Sequence, residues 1–213
     1  MMDRRRALMA GGEKRLLPDE YQQVEWVANT GVRYITAGTI QKTFPLTMKI
    51  GFYRTASAQY QSIVCGVGYA NRGTYNLGIM TNGGVGVHVK GQGYWIDGAP
   101  TNLNTYVDAE FTLENSTKST VTARYPDGAS YSRTLDVDVT ISNTNFVLWQ
   151  SQNNVKMTGR IYYCEVWQNG RKLMHLIPCY RKSDNEIGMY DVVQKEFRTG
   201  AGSGSFTKGA DVV

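Results

Sequence analysis

Residues 159–209, GRIYYCEVWQNGRKLMHLIPCYRKSDNEIGMYDVVQKEFRTGAGSGSFTKG, decide the fold. The stretch opens on β-branched and aromatic residues, Ile161-Tyr162-Tyr163-Cys164-Glu165-Val166-Trp167, reaches Asn169-Gly170 and returns through Leu173 to Ile177. Asn-Gly between two such runs accepts the positive φ that a two-residue turn requires, so the segment reads as a β-hairpin. The Pro178-Cys179 step is expected to end its second strand. Beyond it, residues 181–185 read as a polar loop, residues 187–191 and 196–199 as short extended pieces, and a Gly/Ser run leads to Phe206.

Outward from this segment the same rhythm fills the chain. Leu46, Met48, Ile50 and Phe52 alternate with Thr47, Lys49, Gly51 and Tyr53, the period of two that sends one set of side chains to a core and the other to water. Thr105, Val107, Ala109, Phe111 and Leu113 repeat it opposite Tyr106, Asp108, Glu110, Thr112 and Glu114. Residues 115–118 then turn the chain into Val121, Ala123 and Tyr125. Residues 62–67 are more continuously apolar, as expected near the middle of a sandwich. Tyr75, Leu77 and Ile79 lead to a turn at Asn82-Gly83 and back through Val85, Val87 and Val89, and Pro126-Asp127-Gly128 makes another turn. Phe146 to Trp149 begins the return toward the closing hairpin. After residue 16 no long apolar stripe has helical spacing. The expectation is all-β: about twelve short strands in an antiparallel two-sheet sandwich.

A chain of 213 residues is long enough for one well-buried sandwich and short for two ordinary domains. Its 23 glycines, 14 tyrosines and 19% charged residues suit short strands and tight turns. Of the net charge of +5, Arg4, Arg5, Arg6, Lys14 and Arg15 against Asp3 and Glu13 place +3 in the first fifteen residues, leaving +2 for the rest. So neutral a body argues against a nucleic-acid groove, which needs clustered cations. Residues 1–16 read as a basic arm, with two helical turns ending at Gly11-Gly12, and residues 17–213 as the sandwich domain. A helix that short is marginal in water, so the arm is expected to anchor to a partner. Arg4, Arg5 and Arg6 would bond its acidic or carbonyl groups, and Leu8 and Met9 would fill a small apolar pocket.

The apolar run at residues 7–10 is too short for an export signal, and no other run approaches membrane-spanning length, so no membrane association is expected. Cys65, Cys164 and Cys179 are odd in number and lack metal-type spacing, and His88 and His175 stand apart. Neither a zinc site nor a disulfide framework is expected; the thiols read as buried in a protein folded in a reducing cytoplasm.

Two terminal patterns carry a resemblance. I-P-C-x-R-K-S-D-N-x-x-G-M-Y-D over residues 177–191, followed by F-x-T-x-x-G-x-G-x-F over residues 197–206, resembles the C-terminal signature of concanavalin A-like, laminin-G-like jelly-roll domains found in phage and prophage structural proteins. LPDEYQQVEWV at residues 17–27 and TGVRYI at residues 30–35 are similar to the same family's opening. The resemblance implies a concanavalin A-like jelly roll and a binding or structural role in a virion, assembled in the bacterial cytoplasm with other virion proteins.

That fold also houses glucanases, and laminarinase-like relatives place their carboxylates in a Glu-x-Asp-x-Glu-type motif on one strand. This sequence contains no Glu-x-Asp. Asp108, Glu110 and Glu114 are the nearest substitute and read as the solvent side of an amphipathic strand. Neither histidine has a local Ser or Cys motif, and Asp97, Asn102, Asp184 and Asn185 lack calcium-loop spacing, so no catalytic residue, metal or cofactor is expected. Glycan binding asks for exposed aromatic faces beside polar side chains. Tyr69, Asn71 and Arg72 in one stretch, and Tyr94, Trp95 and Asp97 in another, offer that mixture. Trp26, Trp149 and Trp167 read as packing residues, and residues 181–184 as an ordered loop tying terminal strands together.

The reading is a non-enzymatic phage or prophage virion component, fastened by its arm, with host-surface carbohydrate as candidate ligand and homo-oligomerisation left open. The alternatives are a free carbohydrate-binding module or adhesin and, behind it, a glycoside hydrolase.

Overall fold

The computed structural model describes residues 16–29, 33–41, 43–54, 62–67, 77–81, 84–89, 92–100, 104–137, 144–149 and 159–213. They form β1 (Tyr21–Gln23), β2 (Val27–Asn29), β3 (Ile35–Ile40), β4 (Leu46–Arg54), β5 (Ser62–Val67), β6 (Leu77–Thr81), β7 (Val85–Val89), β8 (Gln92–Trp95) and β9 (Tyr106–Leu113). The chain continues through β10 (Lys118–Arg124), β11 (Ser130–Asp136), β12 (Thr144–Leu148), β13 (Gly159–Gln168), β14 (Arg171–Arg181), β15 (Ile187–Asp191), β16 (Glu196–Arg198) and β17 (Phe206–Lys208). Among the described residues there is no helix, and so none long and apolar enough to cross a membrane.

The larger sheet has 11 strands and runs β11-β10-β9-β4-β13-β14-β15-β16, with β1 on β14, β2 on β13 and β17 on β2; the smaller has 6 and runs β3-β12-β5-β6-β7-β8. Every strand pairing is antiparallel. Alternation fills the space between the sheets: Met48, Ile50 and Phe52 of β4, Phe111 and Leu113 of β9 and Ile161 and Val166 of β13 meet Val64, Ile79, Val87, Phe146 and Leu148 of the small sheet. Each such side chain contributes about 1.5–3 kcal/mol when fully buried. The architecture is the expected all-β, antiparallel two-sheet jelly roll.

Two local expectations are corrected. Pro178 does not end a strand: β14 runs through it, opposite Met189 of β15, and the Pro178 carbonyl accepts the Val24 N–H at 3.0 Å. A proline keeps its carbonyl, and here the carbonyl carries the bond. The strands also outnumber the expected dozen, in part because the two ends of the domain supply short ones: β2 and β17 pair with each other, and β1 lies on the long β14. Loop 181–185 fastens this junction, with Lys182 donating from N to Glu20 O at 2.9 Å and from Nζ to Asp19 O at 2.7 Å. Leu17 completes a small second core with Ile177, Cys179 and Tyr190. Arm residues 1–15 lie outside the described residues.

Candidate functional site

The side chains of the large sheet that alternate with the core point away from the small sheet. Register lines them up in rows across neighbouring strands, which lie about 4.8 Å apart. One row holds Arg160, Tyr53 and Tyr106; the next holds Tyr163, Gly51, Asp108 and Arg124. A third holds His175, Glu165, Lys49, Glu110 and Thr122, and a fourth Lys172, Trp167, Thr47, Thr112 and Thr120. The face is therefore graded: aromatic at one end, charged in the middle and lined with hydroxyls beyond, where Thr47 and Thr112 hydrogen-bond at 3.1 Å.

The aromatic end depends on a bulge. Ile161 pairs with Phe52 and Tyr163 with Gly51, so Tyr162 is an extra residue in β13. Ile161 and Cys164 thus both stay in the core while the two tyrosines between them are half-buried. Tyr162 meets Tyr106 edge to face, with ring centroids 5.1 Å apart and planes at 83°. Tyr163 lies across Gly51, where a Cβ would stand 2.6 Å from Tyr163 Cε1 and 2.6 Å from Tyr106 Oη. Over this glycine the hydroxyls of Tyr106 and Tyr163 both donate to Asp108 Oδ1, at 2.7 and 2.8 Å. Burial, reinforced by the Asp108 charge, drives the Tyr163 phenol well above its ordinary value, so it remains a donor. Beside this cluster the Arg160 guanidinium carbon lies 4.4 Å from the Trp26 ring centroid and 5.3 Å from that of Tyr53.

In the middle of the face, Glu110 Oε2 receives Arg124 Nη1 at 3.2 Å and Lys49 Nζ at 3.6 Å. Glu165 Oε1 receives Lys172 Nζ at 2.7 Å, and its Oε2 the Trp167 indole N–H at 3.2 Å. Burial alone would raise the Glu165 carboxyl, but the Lys172 and Trp167 hydrogen bonds and the nearby His175 hold it below its ordinary value. All three carboxylates thus serve as fixed acceptors among fixed donors beside aromatic rings. Chemically, such a combination can stack on and hydrogen-bond a hydroxyl-rich molecule. Among the described residues no group of three His, Cys, Asp or Glu side chains is placed to hold a metal.

The sequence-predicted contacts fall elsewhere. Tyr69, Asn71 and Arg72, and the arm residues Arg4, Arg5, Arg6, Leu8 and Met9, lie outside the described residues. Tyr94 packs against the core. Trp95 is half-buried over Gly86 of β7, where a Cβ would lie 3.0 Å from its Cε3. Arg133 of β11 donates to the Trp95 carbonyl at 2.6 Å and to Asp97 Oδ1 at 3.5 Å, linking the edges of the two sheets. The Asp97 side chain is 89% exposed. Val67 and Leu77, the strand ends flanking residues 68–76, pair together at the Val89 and Gln92 end of the sheet, whereas Trp95 pairs with Gly86 at the other.

Tyr53, Tyr106, Tyr162, Tyr163 and Arg160 form no motif along the sequence, and of the tryptophans expected to pack only Trp149 is fully buried; Trp26 and Trp167 lie half-buried, stacked with Arg160 and Lys172. One signal was present: Ile161 and Cys164 are both core-type, and a spacing of three between them breaks strict alternation.

Neither a protein-family model nor a curated protein sequence matches the chain. Among solved structures 31 chains match. A Bacteroides ovatus protein provisionally assigned to carbohydrate binding superposes with a TM-score of 0.59 at 13% identity, over 90% of this chain, which spans 62% of that protein's length. The SAP-like pentraxin of Limulus polyphemus gives 0.53 at 10% identity, covering 88% of this chain and 95% of the pentraxin. The enzymatically active domain of tailspike protein 2 of bacteriophage CBA120 gives 0.50 at 7% identity, covering 74% and 30%. This last match corrects the expectation that the chain is no enzyme: the jelly roll is shared with an enzymatically active domain, so the exclusion drawn from missing motifs does not stand. At these identities the likeness is one of fold, and the chain is a jelly-roll β-sandwich.

Proposed function

We propose that the outer face of the large sheet binds carbohydrate. The observation that carries this is the cluster of half-buried rings, Tyr53, Tyr106, Tyr162 and Tyr163, on the water-facing side of an antiparallel sheet, where alternation ordinarily puts small polar side chains. Rings of this kind stack on the C–H faces of sugars, while Asp108, Glu110, Lys49 and Arg124 supply acceptors and donors already held in place. The Bacteroides ovatus protein supports the reading by its fold and its provisional assignment.

The test is calorimetric titration of the whole chain with bacterial wall and surface glycans, alongside Tyr53→Ala, Tyr162→Ala and Trp95→Ala. Saturable binding weakened at least about tenfold by the tyrosine changes, equivalent to about 1.4 kcal/mol, is expected. Binding lost only in Trp95→Ala would move the site to the edge of the small sheet. No binding to any glycan would overturn the proposal.

The terminal signatures, and the likeness to a tailspike domain, further support a place for this module on a phage or prophage particle, attached through residues 1–16. Deleting those residues should abolish incorporation while leaving glycan binding intact. Unchanged incorporation would refute the anchor.

A further inference from the structure

We infer, resting on the carbohydrate reading of this face, that its ligand is an acidic glycan whose sugar carboxylate pairs with Arg160. The argument begins with what stacked cations do elsewhere in this protein. Arg33 lies over Phe206 and pairs with Glu186; Arg181 lies over Phe197 and pairs with Asp184. Lys172 over Trp167 pairs with Glu165, and Lys208 over Tyr180 pairs with Asp211. Among the described residues, Arg160, over Trp26 and Tyr53, has the rings but neither a carboxylate nor any other hydrogen-bond acceptor at its guanidinium. Lys49, Arg124 and Lys172, the other cations named on the face, are already engaged by Glu110 and Glu165.

The clamp is built rather than incidental. Gly209 donates its N–H to the Trp26 carbonyl at 2.9 Å, and a Cβ on Gly209 would stand 2.7 Å from the Trp26 indole nitrogen, so the backbone of the closing segment presses on that ring. Tyr53 is fixed from the other side by its place in β4 beside Tyr106. Arg160 is therefore a half-buried, oriented guanidinium with donors to spare. A guanidinium fork matches a planar carboxylate with two parallel hydrogen bonds. Asp108, in the next row, repels a carboxylate and accepts a hydroxyl, so it sets the direction in which an acidic sugar lies.

The experiment titrates the whole chain with polygalacturonate, alginate and hyaluronan, each beside its carboxyl-reduced counterpart, and with dextran sulfate. Arg160→Gln keeps most of the side-chain stem without the charge, and Arg160→Lys keeps charge without the fork; melting curves confirm that both are folded. At least one uronate should bind about tenfold or more tightly than its reduced form, with a preference that weakens in added salt. Arg160→Gln should erase the preference and Arg160→Lys retain only part of it.

Equal binding of acidic and reduced glycans, or a preference that survives Arg160→Gln, overturns this inference and leaves the carbohydrate face standing. Dextran sulfate binding as tightly as the best uronate, with the same dependence on Arg160, replaces the carboxylate by a sulfate and overturns the assignment. Binding of no glycan in either form overturns the carbohydrate reading, and this inference with it.

Discussion

Gly51→Ala places one methyl group under the tyrosine cluster. The added carbon would sit 2.6 Å from Tyr163 Cε1, 2.9 Å from its Cδ1 and 2.6 Å from Tyr106 Oη. Both rings must retreat, and both are tied to Asp108 Oδ1 by short hydrogen bonds. Overpacking of this kind costs about 1–3 kcal/mol. Breaking one of the two bonds to the carboxylate adds about 1.5 kcal/mol, the low end for a charged acceptor because the site is only half-buried. Replacing glycine in a strand returns about 0.5–1 kcal/mol. The net loss is about 1.5–4 kcal/mol, a fall in melting midpoint of about 3–16 °C for a chain of this size. Thermal melts followed by circular dichroism measure it, and a double-mutant cycle with Tyr163→Ala locates it. Once the Tyr163 ring is gone, the same change at Gly51 should cost about 1 kcal/mol less, or better. Melting within about 1 °C of wild type, or full additivity with Tyr163→Ala, would refute the account of how this face is held.

Asp191 is fully buried and its Oδ1 accepts the N–H groups of His175, Val193 and Gln194 at 3.1, 3.0 and 3.2 Å. Asp191→Ala should cost about 3 kcal/mol or more and Asp191→Asn less, read from urea midpoints; an unshifted Asp191→Ala midpoint contradicts this. Because the folded-state value of Glu165 is depressed, its stabilisation is complete above the ordinary 4.5 and is lost as pH falls through the lowered value. The stability gap between wild type and Lys172→Met should therefore be present at neutral pH and close in strong acid, whereas a pH-independent gap would show that the pair contributes no charge effect. Burial raises the Cys164 thiol well above its ordinary value, helped by the neighbouring Cys65, and pushes Cys179 up to about 12. Disulfide reagents should accordingly label the folded protein only as fast as it opens; rapid labelling at neutral pH would be inconsistent with these buried thiols.

Much of the fold was legible because its signals are local. Alternation in β4 and β9 named the core side of each strand, and the burial of β9 alternates as the sequence does. Asn169-Gly170 closes the hairpin with φ of 50° and 73°, the positive values that this residue pair tolerates. Pro178 misled, because the rule that proline interrupts pairing concerns its missing N–H, and at this position the bond is made by its carbonyl, to the N–H of Val24 just past β1. The glycan-binding expectation went to stretches in which aromatic and polar residues are adjacent in sequence, and Tyr94 proved to be a core contact.

The sequence by itself determined which residues share a face within each strand, where the chain turns, and that the product is a two-sheet sandwich, since these follow from side-chain period and turn chemistry over a few residues. Only the tertiary structure decided that β4 lies between β9 and β13, and that a bulge at Tyr162 turns two consecutive tyrosines outward. Asp108 looked like the wet side of one strand until register brought it a hydroxyl from Tyr163, 55 residues away. The face assembled from Trp26, Tyr53, Asp108, Arg160 and Tyr163 exists only across strands, and strand neighbours are chosen by how the whole core packs rather than by any local pattern.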